Sequence, residues 1–251
     1  MAQTQTLIAS QTVASDVTGT AFSTVIGEAL GVASLSVSAY TADPGYTDPD
    51  VPAGLTVVVE RRRGSGPWVV AATATVNADT ELDLGVDLGD GKAAVDCRAR
   101  VTLVGVLSAV VALDLEVYST YASLRDLTNV VREAALDGLT QVERVRAIVG
   151  RHDTVDGYVA SVYTLPLQTW GEDLRDAEAS LAAESLFQLR GCDPTGPDKV
   201  IFDAADNARV WLRHISQGRI VPPGITDSVG LAADAEGLGA VVSTSRPSRG
   251  W

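Results

Sequence analysis

Residues 107–127 read LSAVVALDLEVYSTYASLRDL, and the hydrophobic period changes inside them. Residues 107–118 carry the valines and leucines of a β-strand, whereas from Tyr121 onward apolar residues return at helical spacing. Ser123 stands where a helix needs its N-cap, ahead of Leu124, Leu127 and Val131. A serine hydroxyl there accepts from amides that the first turn leaves unpaired. The stretch therefore predicts an α+β chain whose β and helical domains meet near Ser119.

Working toward the N-terminus, residues 34–40 alternate as SLSVSAY, which places Leu35 and Val37 on one face at a strand's two-residue period. Residues 55–63 and 68–76 read as a hairpin joined by Gly64-Ser65-Gly66-Pro67. Residues 94–104 alternate through Val95, Cys97, Ala99, Val101 and Leu103, with Gly105 in the turn that leads to 107–118. Pro44, Gly45, Pro49, Pro52 and Gly54 mark a long loop, and residues 87–92 another turn. The first thirty residues or so read as weaker strands or an arm. Short strands with polar turns predict an antiparallel β-sandwich, jelly-roll-like, over residues 1–118.

Toward the C-terminus, Thr140 and Glu143 have the spacing of a capping box. A helix through Val142, Val145, Ala147 and Val149 is expected to end near Gly150. Another, over 153–163, is expected to bury Val155, Tyr158, Val159 and Val162 and to stop before Pro166. Residues 173–190 place Leu174, Ala177, Leu181, Ser185 and Leu189 on one stripe with Leu186 beside it, ending at Gly191. A last helix over 198–217 carries Ile201, Ala205, Ala208, Leu212 and Ile215 on one side and ends at Gly218. Residues 119–220 thus form a helical bundle. Beyond Pro222-Pro223, residues 221–251 are an extended tail rich in Gly, Ala and Ser, which needs a partner to become ordered.

The formal charge of −13 argues against a nucleic-acid surface; it is tolerable in the wall of a DNA conduit, but solubility is its simpler reading. No apolar run approaches the roughly 20 residues of a membrane span. The first ten residues lack the pattern of a secretory signal, so synthesis in the cytoplasm of the producing cell is expected. Cys97 and Cys192 match no metal-ligand spacing, and reduced thiols are the default there. His152-Asp153 has the look of a phosphohydrolase metal dyad, but His214 is the only other histidine, so a capping or surface role is expected. Asp43, Asp48 and Asp50 lack EF-hand spacing and read as a solvated turn. Arg61-Arg62-Arg63 reads as a charge-protected edge strand whose side chains alternate between faces and form no continuous patch. Trp68, at a strand start, reads as a core residue, or if exposed as a platform for a sugar. No phosphate loop, nucleophile elbow or Cys–His pair stands out, so neither enzyme activity nor a cofactor is expected.

Several segments of the helical half resemble one family. They are Tyr121-Ala122-Ser123-Leu124-Arg125-Asp126-Leu127, Asp156-Gly157-Tyr158-Val159 with Tyr163-Thr164-Leu165-Pro166-Leu167, and Asn207-Ala208-Arg209-Val210-Trp211-Leu212 with Ile215 and Gly218. In order and spacing they resemble the head–tail connector, or adaptor, proteins of Mu-like tailed phages. The closing Ser248-Arg249-Gly250-Trp251 is also similar to tails of such proteins. The resemblance runs from Tyr121 to Gly218 and leaves out the β half. It implies a virion protein of the neck, assembled as a homo-oligomeric ring, usually a dodecamer. Its partners would be the portal and a tail-side neck or terminator protein, with packaged DNA passing through unread and no membrane involved. Candidate interface residues are Tyr163, Leu165, Pro166, Leu167 and Trp170 on the segment leaving a helix, which has packing within its own bundle as an alternative, and Val241, Val242, Arg249 and Trp251 on the tail. The alternative is a surface- or carbohydrate-binding β-sandwich module on a phage structural protein.

Overall fold

A computed structural model describes residues 3–24, 27–89, 91, 93–191, 196 and 198–227. The β half comprises β1 (Gln3–Val13), β2 (Val17–Thr18), β3 (Phe22–Ser23), β4 (Glu28–Ala42), β5 (Gly54–Arg62), β6 (Val69–Val76), β7 (Thr80–Asp87), β8 (Asp96–Val104) and β9 (Val106–Ser119). The helical half comprises α1 (Leu124–Val130), a 3-10 turn (Glu133–Leu136), α2 (Gln141–Val159), α3 (Glu172–Arg190) and α4 (Lys199–Ser216). No helix among the described residues is long and apolar enough to cross a membrane.

The strands form two antiparallel sheets, ordered β1-β9-β4-β7 and β2-β8-β5-β6, with β3 also on β8. Alternation explains why they stack. Leu55, Val57 and Val59 of β5 and Cys97, Ala99 and Val101 of β8 point inward. There they meet Leu35 and Val37 of β4 and Val111, Leu113 and Leu115 of β9 in one buried core.

Several expectations need correction. Of the two readings for the N-terminal residues, strands hold and an arm does not: β1 pairs along β9 and buries Leu7, Ile8 and Val13 in the sandwich. β7, unforeseen in a stretch carrying Glu81, Asp83 and Asp87, pairs with β4 as the last strand of its sheet. Gly105 does form the turn from β8 into β9, but not within one sheet. β8 and β9 belong to different sheets, and Gly105, at φ +59°, carries the chain across while accepting a bond from the Asp43 amide. A Cβ there would sit 2.6 Å from the Tyr46 ring. Arg61 and Arg62 lie on β5, which is paired on both sides, so edge protection does not explain them.

In the helical half, both capping boxes form, Ser123 with Asp126 and Thr140 with Glu143. The two helices expected around Gly150 are one. A mid-helix glycine costs only about 1 kcal/mol relative to alanine, and the buried stripe Val145, Ile148, Val155 and Val159 continues past it. Val162 lies beyond the helix end and is exposed, Tyr158 is half-buried, and Leu189 at the end of α3 is 67% exposed. Gly191 ends α3 in the left-handed conformation.

The halves share a core. Ala29, Leu30 and Val32 of β4 join Leu127, Val131, Val145, Ile148, Leu186 and Phe187 in one cluster. The start of α2 sits so close to β7 that a Cβ on Gly85 would lie 2.7 Å from the Gln141 carbonyl. Backbone cannot retreat as a side-chain tip can, so Gly85→Ala should cost about 1–3 kcal/mol in urea denaturation. An unchanged midpoint would mean that α2 is not seated on β7.

Candidate functional site

Residues 120–123 carry the chain from β9 into α1, and a buried polar network grips them. Glu178 of α3 is fully buried; one carboxylate oxygen accepts the Ala122 amide and the other meets His152 Nδ1 at 2.8 Å. His152 Nε2 lies 3.5 Å from Asp156, whose other oxygen accepts the Tyr121 hydroxyl. The Trp170 indole N–H donates to the Tyr121 carbonyl at 3.0 Å, and the Tyr121 ring packs 4.7 Å from His152 and 5.3 Å from Trp170.

Burial alone would lower the His152 pKa. The hydrogen bond and charge of Glu178, with the charges of Asp156 and Asp153, outweigh it and hold the imidazole above its usual value. Burial pushes the Glu178 carboxyl up, opposed by His152 and by the amides of Ala122 and Tyr121. Burial, then the bond to Asp156, also raises the Tyr121 phenol. His152 thus sits inside this network, which corrects the reading of a capping or surface role. The sequence hint was a glutamate set directly beside the apolar stripe of α3, between Ala177 and Leu181.

The segment leaving α2 turns back into its own bundle. Leu167 and Trp170 are 6% and 7% exposed, inside a cluster with Leu174, Leu212 and Ile215. Tyr163 and Leu165 pack partly against that cluster, and Pro166 is exposed. Thr169 bridges to Thr226, which closes the return of the chain. Leu167 and Trp170 thus pack within their own bundle, the alternative to a contact between subunits. Val241, Val242, Arg249 and Trp251 lie outside the described residues, as does Cys192; Cys97 is buried in the sandwich.

Trp68 is not core. It is half-buried, and the guanidinium groups of Arg62 and Arg98 lie 4.5 Å and 4.1 Å from its ring centre. Asp43 and Asp48 accept the amides of Gly45 and Asp50, as turn carboxylates do.

A cleft of about 810 Å³ opens between the halves. Arg61, Arg62 and Arg63 all line it, and α1 and α3 contribute Arg125 and Arg175 from across. All three consecutive arginines border the cleft; Arg61 and Arg62 alternate on β5 and Arg63 follows the strand's end. Arg61 pairs with Asp87 at 3.2 Å, and Arg62 with Asp96 at 2.9 Å. Arg175 reaches Glu172 at 3.3 Å and Asp126 at 3.5 Å.

Residues 121–239 match the family model described as Bacteriophage Mu, Gp36. The match supports a Mu-like phage protein. It begins at Tyr121, where the buried network grips the chain, and leaves out the β-sandwich. A phage structural or morphogenesis protein, with its place in the virion, is the coarse assignment this carries. No curated protein matches the chain significantly. Among solved structures, one likeness is to the infectious bursal disease virus Gx strain, at 11% identity over 47% of this chain and 31% of that one, TM-score 0.28. The chain thus spans about a third of that viral chain. Another is to the disulfide-linked pili of Bacillus endospore appendages, at 15% identity over 46% of this chain and 90% of that one, TM-score 0.24. At such identities and scores neither likeness bears on function.

Proposed function

We propose that this chain is the head–tail adaptor of a Mu-like phage, one subunit of a closed homo-oligomeric ring that joins the portal to the tail. The observation that carries the reading is the family match over residues 121–239, which spans the helical bundle and extends into the tail. The helical half faces the portal, a neck or terminator protein binds on the tail side, and the sandwich projects outward. Twelve copies are the expected number, as the resemblance implies. The chain's charge of −13 suits a lumen through which DNA slides without being read. The protein is made in the host cytoplasm and works without catalysis or cofactor. Val241, Val242, Arg249 and Trp251 remain the proposed contacts of the tail with a neighbour.

Electron microscopy of the phage particle, or of the protein mixed with its portal, tests this. A closed ring of this chain between portal and tail is expected. Density for the chain elsewhere in the particle, or no ring with the portal, would overturn the adaptor role.

A further inference from the structure

We infer that the start of β1 is an open sheet edge that takes residues 240–244 of a neighbouring copy as an added strand. The neighbour enters through the adaptor reading, on which this inference rests. β1 is an outermost strand of its sheet, and its residues 3–6 run in unbroken register with Val117, Glu116, Leu115 and Asp114 of β9. Apart from β9, no backbone group of residues 3–6 has a partner among the described residues. Gln3, Thr4 and Thr6 are exposed. Natural edges are guarded by lysine, proline or bulges. β1 holds no charged residue and no proline, and its register shifts begin only after Thr6. Farther along, the edge is closed, because a Cβ on Gly19 would collide with the Leu7 carbonyl oxygen. At the opposite side of the sheet, β7 lies against α2 and β6.

The chemistry of the edge selects its occupant. On β9, Asp114 accepts the Thr6 hydroxyl at 2.7 Å, and Glu116, opposite Thr4, accepts the Tyr118 hydroxyl. No cation on β1 balances these carboxylates, so an acidic strand laid beside them is repelled. Residues 238–245, LGAVVSTS, carry no charge, in a chain of −13. Within them Val241, Val242 and Thr244 are β-branched and fit a pleated strand. Backbone bonds to an open edge supply affinity without any charge.

The point from which residues 228–251 continue lies on the same side of the molecule. Thr226 bridges to Thr169, Trp170 donates to the Tyr121 carbonyl, and Tyr121 follows β9, whose Val117 pairs with Gln3. From Asp227 to Ala240 an extended chain spans roughly 45 Å. Subunits of a ring are related by rotation about one axis, so exit and edge recur at the same levels in every copy. Donor and acceptor are different surfaces, so the contact runs head to tail and can close a ring, which β1 pairing with β1 cannot.

The test follows hydrogen exchange by NMR in the dilute full chain, with a synthetic peptide of residues 238–245 capped at both ends. At about 1 mM peptide, the amides of residues 3–6 that point away from β9 should exchange about tenfold more slowly. The helical amides should not change. A peptide N-methylated at Val241, Val242 and Ser243 cannot form the ladder and should have no effect. Nor should one carrying Val241→Asp and Val242→Asp, which sets carboxylates beside Asp114 and Glu116. No protection by the parent peptide, equal protection by the N-methylated one, or protection confined to the helical half overturns the inference. So does protection of residues 3–6 before any peptide is added, which would show the edge covered within its own copy. The assay needs neither ring nor portal, so its failure is separable from failure of the adaptor role.

Discussion

Glu178→Ala should lower the unfolding free energy by about 3–5 kcal/mol, the loss typical when one partner of a buried ion pair is removed. The substitution strands His152 among Asp156 and Asp153 without its closest acceptor, and it leaves the Ala122 amide buried with nothing to donate to. Glu178→Gln keeps an oxygen for that amide and should lose about 1–3 kcal/mol. The pH dependence carries a sign that checks the cause. His152 is held above its ordinary value of 6.5, so its contribution is fully present below that value and is lost as pH rises through the folded-state pKa. Glu178, pushed up by burial, acts in the same direction at lower pH, because ionising it inside the fold costs more than in the open chain. Stability should therefore fall as pH rises above 6.5, and His152→Gln should flatten that fall. A profile unchanged by His152→Gln, or Glu178→Ala as stable as the parent in guanidinium denaturation, would show that the network does not hold the joint.

Trp170→Ala should cost about 3–5 kcal/mol in the dilute chain, as deletion of a large buried aromatic does. The ring is packed among Leu174, Leu212 and Ile215 and edge-on to Tyr121, so its removal opens a cavity at the centre of the bundle. Trp170→Phe keeps most of the contact and loses the indole bond to the Tyr121 carbonyl, a loss of about 1 kcal/mol. Differential scanning calorimetry across a dilution series separates this from a role between subunits. An interface anchor would leave the dilute Tm unchanged and depress it only where copies associate, and that result would return Trp170 to the assembly surface.

Local spacing by itself determined the α+β division, the change of period after residue 118, both capping boxes and the glycine that ends α3. These depend on residues a few positions apart, whose backbone amides and side chains meet whatever the rest of the chain does. The helical motifs from Tyr121 onward pointed to a Mu-like phage protein, as does the match over residues 121–239, again from short runs in order. Longer-range features escaped. β7 carries three carboxylates and reads as loop, yet its backbone finds a ladder on β4 and Leu82 and Leu84 find the sandwich core. Gly150 reads as a helix end until one buried stripe is seen to continue past it. Nothing near Trp170 in the chain tells a core tryptophan from an interfacial one; its cavity is built by α3, α4 and Tyr121. Glu178 was unremarkable until the fold buried it against His152, and the arginines of the cleft lie up to 114 positions apart, from Arg61 to Arg175. Pattern along a chain reports what a residue prefers locally, whereas burial and charge partnership are properties of whatever packs against it, and only the tertiary structure decides that.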